Sequence, residues 1–82
     1  MEGKLQLRIV TPTDLREESV SSVWLPGALA PMEIRPAHAP LTAALTAGEI
    51  RWRTGAGEER FAIRGGAVRV AQNVVTVCAE QA

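Results

Sequence analysis

The chain opens with the clearest alternation of apolar and polar residues in the sequence. Lys4–Val10 reads KLQLRIV, in which Leu5, Leu7 and Ile9 alternate with polar side chains. A period of two over this length is typical of a strand with one buried face. The segment Thr11–Asp14 that follows contains a proline and an aspartate, and it predicts a turn.

The next apolar stretch is less regular. Within Glu17–Leu25, Val20 and Val23 are three residues apart, which breaks strict alternation. A β-bulge adds one residue to a strand and would restore the inward-facing set, so we expect a bulged strand here. A short helix that begins at Leu15 is the alternative, because the preceding threonine and aspartate could cap it.

Prolines dominate the middle of the chain. Pro26-Gly27 predicts a turn, and Ala28–Glu33 predicts a loop or an edge strand. The two prolines within Ile34–Pro40 each fix φ near about −65° and push the residue before them towards extended conformations. We therefore expect a stiff, extended crossover that holds His38, followed by a short buried strand over Leu41–Leu45.

The second half of the chain repeats strand and turn signals at short intervals. Alternation predicts strands over Glu49–Arg53, Glu59–Arg64, Ala67–Ala71 and Val74–Ala79. The expected inward-facing residues are Ile50, Trp52, Phe61, Ile63, Val68, Val70, Val75, Val77 and Ala79. Turns are expected at Thr54–Gly57, Gly65-Gly66 and Gln72-Asn73. This pattern predicts an all-β fold, a small β-sandwich or flattened barrel of short, mostly antiparallel strands, in a single domain over residues 1–82.

The last strand is apolar on both of its faces. Val74 and Cys78 alternate with Val75 and Val77, so neither face is polar. A sandwich strand whose outer face meets water should carry polar residues there. The outer face is therefore expected to pack against another segment of the chain or against a partner protein.

Composition and charge narrow the possible functions. With 82 residues, the chain forms one small domain whose stability a partner could supplement. Nine Lys and Arg balance nine Asp and Glu, which argues against nucleic-acid binding and polybasic membrane attachment. A single cysteine, no signal segment and no long apolar run predict a soluble protein of a reducing, cytoplasmic compartment, which could still sit on a membrane complex.

His38 and Cys78 are the candidates for catalysis or metal binding. A lone histidine without a second His or Cys nearby does not make a zinc site, so its ring is expected to bond local backbone and brace the loop. Cys78 lies among valines and is expected to be a core or interface side chain. The Gly65-Gly66 pair lies outside any phosphate-binding motif, and no cofactor is expected.

The charged and aromatic residues of the strands have two interpretations. The arginines expected on outward faces are Arg51, Arg53, Arg64 and Arg69. Cross-strand pairs with Glu49 and Glu59 are the ordinary explanation, and a docking face for an acidic partner is the other. Trp24 and Trp52 are expected either in the core or as interface anchors.

Ile34–Ile50 reads IRPAHAPLTAALTAGEI, and this run resembles the epsilon subunit of F-type ATP synthase, which commonly reads G-I-x-P-G-H-A-P-L followed by x-x-x-L-x-x-G. The matching residues are Ile34, Pro36, His38, Ala39, Pro40, Leu41, Leu45 and Gly48. Glu33 and Ala37 stand where the family commonly has glycine. The opening strand, the Gly65-Gly66 pair and the closing NVVTVCAE also follow the family order, so the resemblance covers nearly the whole chain.

The resemblance implies the N-terminal β-sandwich domain of that subunit. It implies a non-catalytic part of the central stalk, with the gamma subunit and the membrane c-ring as partners, on the cytoplasmic face of the bacterial inner membrane. The implied role is to transmit torque between ion flow and ATP synthesis or hydrolysis. The family commonly continues into a helical hairpin that carries inhibition and, where it occurs, ATP binding. This chain ends at Ala82, and we expect it not to inhibit hydrolysis in that way.

The resemblance also suggests two contact surfaces. The loop Leu29–Leu41 is expected to face the c-ring, because charged and polar side chains suit polar ring loops. Its candidate contact residues are Glu33, Arg35 and His38. The candidate gamma contacts on the last strand are Val74, Thr76 and Cys78. The alternatives are a freestanding β-sandwich interaction module with another partner and a small enzyme that uses His38 and Cys78.

Overall fold

The computed structural model describes residues 4–82, which form strands joined by short turns and contain no helix. There is accordingly no helix in this part of the chain that could span a bilayer. The strands are β1 (Leu5–Val10), β2 (Leu15–Val20), β3 (Ser22–Leu25), β4 (Met32–Ile34), β5 (Leu41–Leu45), β6 (Gly48–Thr54), β7 (Gly57–Ala71) and β8 (Val74–Gln81). Among these described strands, only β1 and β8 pair in parallel, so the prediction of a mostly antiparallel all-β fold is confirmed.

The sheet is one continuous path that folds over on itself. Its strand order is β2-β1-β8-β7-β6-β3-β4, and β5 pairs with β7 beside that path. The 15-residue strand β7 belongs to both layers, because its first half pairs with β6 and its second half with β5 and β8. The two layers enclose a single hydrophobic core.

Strands β5 and β6 form with β7 one long hairpin that is bent in the middle. Leu45 pairs with Gly66 and Gly48 pairs with Ile63, so the register is the same on both sides of the bend. At the bend, Thr46 N donates to the carbonyl oxygen of Pro26 at 2.9 Å instead of pairing with β7. The bend therefore lets one hairpin contribute to both layers.

The turn predicted at Gly65-Gly66 is wrong, because the pair lies inside β7 at this bend. A Cβ at Gly66 would overlap the carbonyl oxygen of Cys78 and would lie 2.8 Å from the Cα of Ala79. Glycine is needed here for the close approach of β7 to β8, where the sequence suggested a reversal of the chain.

The bulged strand predicted over Glu17–Leu25 is also wrong, and so is the helix from Leu15. The segment forms two strands, since β2 pairs with β1 while β3 pairs with β4 and β6. Ser21 carries the chain between the layers, and its backbone N–H donates to the carbonyl oxygen of Arg53 at 2.9 Å. Val20 and Val23 are both fully buried, so the break in alternation marks the change of layer.

The extended crossover predicted over Ile34–Pro40 contains a tight turn instead. His38 N donates to the carbonyl oxygen of Arg35 at 3.2 Å, and Ala37 has a φ of 66°. With Pro36 second and a positive φ third, this is the geometry of a type II turn. Proline rigidity favours such a turn as readily as an extended chain, which is why the expectation failed.

The core confirms most of the predicted inward-facing residues. Those buried as predicted are Ile50, Trp52, Ile63, Val68, Val70, Val75, Val77 and Ala79, with Leu5, Leu7 and Ile9 of β1. Phe61 is half-buried and packs against the edge of the core. The strand predicted over Leu41–Leu45 exists, but only Leu45 is buried, because β5 lies at the border of its layer.

Candidate partner-binding surfaces

The outer face of β8 lies in the middle of a broad sheet surface. Strand β1 flanks it on one side and β7 on the other, with β2 and β5 beyond them. Val75 and Val77 point into the core, so Val74, Thr76 and Cys78 point outwards. Val74 and Thr76 are half-buried and Cys78 is exposed. The structure therefore brings the three residues predicted for the gamma contact together on one outward face.

An apolar row crosses this face at the level of Cys78. Cys78 is paired with Val10 of β1 and with Ala67 of β7. The row continues to Leu15 on β2 and to Ala44 on β5. Leu15 is 50% exposed, although it is a large apolar side chain. A contiguous apolar row that is exposed across several strands is typical of a surface that a protein partner covers.

The neighbouring row on the same face is charged. Thr76 is flanked by Arg8 of β1 and Arg69 of β7. Arg8 Nε pairs with Glu17 Oε2 at 2.9 Å, whereas Arg69 makes no ion pair with any residue between positions 4 and 82. The face therefore combines an apolar row with the charge of Arg69, which has no ion-pair partner within residues 4–82.

A groove of about 500 Å³ borders the apolar row where β8 nears its end. Its walls include Val10, Pro12 and Cys78, and its floor is the Gly65-Gly66 segment of β7. The space is open to solvent beside the bend in β7. A partner could insert an apolar side chain here.

The residues predicted for the c-ring contact lie around the Arg35–His38 turn. Arg35 Nε pairs with Glu33 Oε2 at 2.9 Å, and both side chains are exposed to solvent. The His38 ring lies with Nδ1 2.8 Å from the carbonyl oxygen of Ala39, which is the local backbone contact predicted for it. Glu33 and Arg35 are exposed and His38 is half-buried, and all three side chains are polar.

Asn73 anchors this turn, a role that the sequence pattern does not predict. Its side-chain Oδ1 accepts a hydrogen bond from Ala37 N at 2.6 Å. The turn at Gln72-Asn73 was predicted, and both residues have positive φ, 51° and 63°. No local pattern reveals that the Asn73 side chain reaches a loop so distant in the chain.

His38 and Cys78 are not brought together. Ala37, next to His38, donates a hydrogen bond to Asn73, the residue immediately before β8. Cys78 lies five residues further along the chain, which is on the order of 16 Å at the usual rise per residue of a strand. Among residues 4–82, no three His, Cys, Asp or Glu side chains are grouped in a way that could hold a metal ion.

The outward face of β3 and β6 carries ion pairs and stacked arginines. Arg51 Nη1 lies 3.2 Å from Glu58 Oε2, a cross-strand ion pair, but the partner is not one of those expected. Glu49 and Glu59 pair instead with Arg60 and Arg16. The guanidinium carbons of Arg51 and Arg53 lie 5.2 and 5.6 Å from the ring centroid of Trp24. Trp24 is therefore an outward, half-buried residue, whereas Trp52 belongs to the core.

A second apolar groove lies between β5 and the loop that precedes β4. It measures about 470 Å³ and is lined by Ala28, Leu29, Met32 and Ala43, among others. Leu29 is fully exposed at its rim. This groove borders the apolar row of the β8 face, because Ala44 lines the groove and belongs to that row.

Comparison with known proteins identifies the family of the chain that carries these surfaces. The family model described as "ATP synthase, Delta/Epsilon chain, beta-sandwich domain" matches residues 4–82. The chain belongs to this family.

The ATP synthase epsilon chain of Desulfitobacterium hafniense is 37% identical over 83 residues, covering 100% of this chain and 63% of that protein. That of Dehalococcoides mccartyi is 40% identical over 81 residues, covering 98% of this chain and 58% of that protein. The chain thus spans about three fifths of the length of these relatives.

Solved structures share the fold at low sequence identity. A cryo-EM structure of the Euglena gracilis mitochondrial ATP synthase, described as OSCP/F1/c-ring, contains a chain that matches with a TM-score of 0.87 and 17% identity, over 96% of this chain and 52% of that one. A chain from the Tetrahymena thermophila mitochondrial ATP synthase, described as central stalk/c-ring, matches with a TM-score of 0.79 and 17% identity, over 98% and 66%. These two matches show the fold. The resemblance to the epsilon β-sandwich found in the sequence is confirmed by the family match and by the epsilon-chain relatives.

Proposed function

We propose that residues 1–82 form a single epsilon-like domain that acts as a central-stalk, rotor subunit of an F-type ATP synthase. The domain couples ion translocation by the c-ring to ATP synthesis or hydrolysis through contacts with gamma and the c-ring. The observation that carries the proposal is the family match over residues 4–82, which includes all the strands. The role is non-catalytic, and the subunit is peripheral, on the cytoplasmic face of the bacterial inner membrane.

In this proposal gamma covers the outer face of β8, with Val74, Thr76 and Cys78 at its centre. The apolar row supplies area that is costly to leave in water, about 25 cal/mol for each Å² buried. Arg69 adds a charge without a partner among the described residues, which a carboxylate on gamma would complement. An apolar centre beside a charged row is the usual composition of a protein interface.

The c-ring contact uses Glu33, Arg35 and His38. Their side chains lie around the Arg35–His38 turn, where the Arg35 side chain is 75% exposed and His38 is half-buried. Exposed charges of this kind contribute to the orientation and rate of association more than to affinity. The Arg35–His38 turn would therefore orient the subunit on polar ring loops, while β8 supplies most of the binding energy to gamma.

The single cysteine offers a direct test of the gamma surface. Cys78 is exposed, so a maleimide reagent should label it rapidly in the isolated chain. Saturating gamma subunit from the same source should slow the labelling at least tenfold. In a matched control, Cys78→Ser combined with Ala56→Cys, the thiol lies in the exposed turn between β6 and β7, away from the β8 face, and should still react in the presence of gamma. Equal labelling of Cys78 with and without gamma would show that β8 is not the interface.

Charge reversal tests the c-ring surface. The double variant Glu33→Lys with Arg35→Glu keeps an ion pair within the loop and reverses the charges that a partner meets. We expect this variant still to bind gamma but to bind the detergent-solubilised c-ring less well. In the assembled enzyme, the coupling of proton or sodium flow to ATP synthesis or hydrolysis should be reduced. Unchanged coupling would contradict the assignment of these residues. If the unaltered chain retains neither gamma nor c-ring, a freestanding interaction module becomes the better explanation of the fold.

A further inference from the structure

Two segments that are far apart in sequence meet at one end of the molecule. The Arg35–His38 turn contacts the β7–β8 turn through the hydrogen bond from Ala37 N to Asn73 Oδ1, which is 2.6 Å long. The backbone carbonyl of Asn73 also accepts a hydrogen bond from Gln6 N at 2.8 Å. A single residue therefore joins the polar loop to β1 and to the start of β8.

The conformation of the loop explains why it needs this anchor. Ala37 has a φ of 66°, a left-handed conformation that costs free energy for alanine because of its Cβ. The turn has one backbone hydrogen bond of its own, from His38 N to the carbonyl oxygen of Arg35. The hydrogen bond to Asn73 satisfies the Ala37 N–H in the strained conformation. Asn73 itself has a φ of 63°, which asparagine adopts readily.

We propose that Asn73 is a positioning residue whose side-chain oxygen fixes the Arg35–His38 turn relative to β8. It thereby sets the directions in which Arg35 and His38 point with respect to the outward face that begins at Val74. The inference rests on the proposed function, in which the loop meets the c-ring and β8 meets gamma. A subunit that transmits torque between two partners needs its two contact surfaces held in one geometry, and this hydrogen bond connects them directly.

Three variants of the β7–β8 turn separate the side chain of Asn73 from its backbone. Asn73→Gly keeps the positive φ but removes the acceptor oxygen. Asn73→Asp keeps an acceptor at the same place. Gln72→Gly is the matched control, because Gln72 also has a positive φ, 51°, and its side chain makes no hydrogen bond within the described part of the chain.

The first measurement is amide hydrogen exchange at Ala37 in the isolated chain, followed by NMR. We expect Asn73→Gly to speed exchange at Ala37 about tenfold, a change that corresponds to one hydrogen bond. Asn73→Asp should restore slow exchange, and Gln72→Gly should leave it unchanged. If Ala37 exchanges at the same rate in Asn73→Gly as in the unaltered chain, Asn73 does not position the loop.

The second measurement compares binding to gamma alone with binding to a complex of gamma and detergent-solubilised c-ring. The affinity of Asn73→Gly for gamma alone should lie within twofold of that of the unaltered chain. The additional affinity that the c-ring provides should fall by up to about tenfold in Asn73→Gly, and Asn73→Asp should restore it. An equal loss towards both partners would indicate a general structural defect and overturn the proposal. If the unaltered chain does not bind the c-ring, the proposed function fails, while exchange at Ala37 still decides whether Asn73 positions the loop.

Discussion

The guanidinium of Arg16 lies over the indole ring of Trp52, with its Cζ 5.1 Å from the ring centroid. Arg16 is on β2 at one end of the strand order, and Trp52 is on β6 in the other layer. Arg16 Nη2 also pairs with Glu59 Oε1 of β7 at 2.6 Å, and its Nε with Glu18 Oε2 at 2.9 Å. Arg16 therefore joins the two layers and covers a fully buried tryptophan.

Replacing Arg16 should measure how much this cover contributes to stability. We expect Arg16→Ala to lower the free energy of unfolding by about 1–2 kcal/mol, because a cation–π contact and a half-exposed ion pair are each worth up to about 1 kcal/mol. Arg16→Met keeps apolar cover over Trp52 and should lose less. Urea unfolding followed by fluorescence provides the measurement. Glu59→Gln is the control, because it removes the Arg16–Glu59 ion pair and keeps the contacts of Arg16 with Trp52 and Glu18. Equal losses of stability in Arg16→Ala and Arg16→Met would show that apolar cover over Trp52 does not contribute.

The bend in β7 should not tolerate a side chain at Gly66. In Gly66→Ala the new Cβ would meet the backbone of β8, which cannot move without breaking the sheet, so we expect a loss of about 3 kcal/mol or more, or failure to fold. Gly55→Ala is the matched control, because nothing lies within 4 Å of its Cβ position, and it should be neutral or slightly stabilising. Thermal unfolding by circular dichroism distinguishes them. A folded Gly66→Ala variant of unchanged stability would contradict the close approach of β7 to β8.

The strained turn predicts a stabilising substitution. Ala37 occupies the position of a type II turn that favours glycine, with a φ of 66°. Ala37→Gly should raise the free energy of unfolding by about 1 kcal/mol, as relief of the strain exceeds the added flexibility of the unfolded chain. Ala39 has no such strain to relieve, so Ala39→Gly should lower the free energy of unfolding by about 0.5–1 kcal/mol. Urea unfolding of both variants provides the comparison, and a loss of stability in Ala37→Gly would show that the turn is unstrained.

Replacing either of two leucines in neighbouring segments by alanine should have very different effects on the free energy of unfolding. Leu25 is buried in the core, and Leu25→Ala should cost about 2–5 kcal/mol. Leu29 is fully exposed, and Leu29→Ala should stay within about 0.5 kcal/mol of the unaltered chain. Chemical denaturation of the isolated chain measures both. A large loss for Leu29→Ala would mean that this side chain packs against the protein in solution.

Local patterns predicted the regular strands of this protein well. The alternation of Lys4–Val10, Glu49–Arg53 and Val74–Ala79 places each side chain on a definite face, because successive residues of a strand point to opposite sides. The inward residues of these strands are buried as expected. The same alternation identified Val74, Thr76 and Cys78 as outward residues before their surroundings were known.

Ambiguous local signals failed where the chain changes layer. A glycine pair fits a turn or a close approach of two strands, and Gly65-Gly66 proved to be the latter. The irregular valines of Glu17–Leu25 fit a bulge or a corner between layers. Each alternative satisfies the same local backbone preferences, and only packing against the rest of the chain distinguishes them.

The sequence by itself determined the fold class, the family and the outward residues of β8, because these follow from side-chain period and from a run of residues with fixed spacing. Only the tertiary structure decided which residues become neighbours. The parallel pairing of β1 with β8 sets Val10 beside Cys78, and the folding of the sheet brings Asn73 to Ala37. Such contacts depend on the register of strands that are distant in the chain, and that register is selected by burial of the shared core.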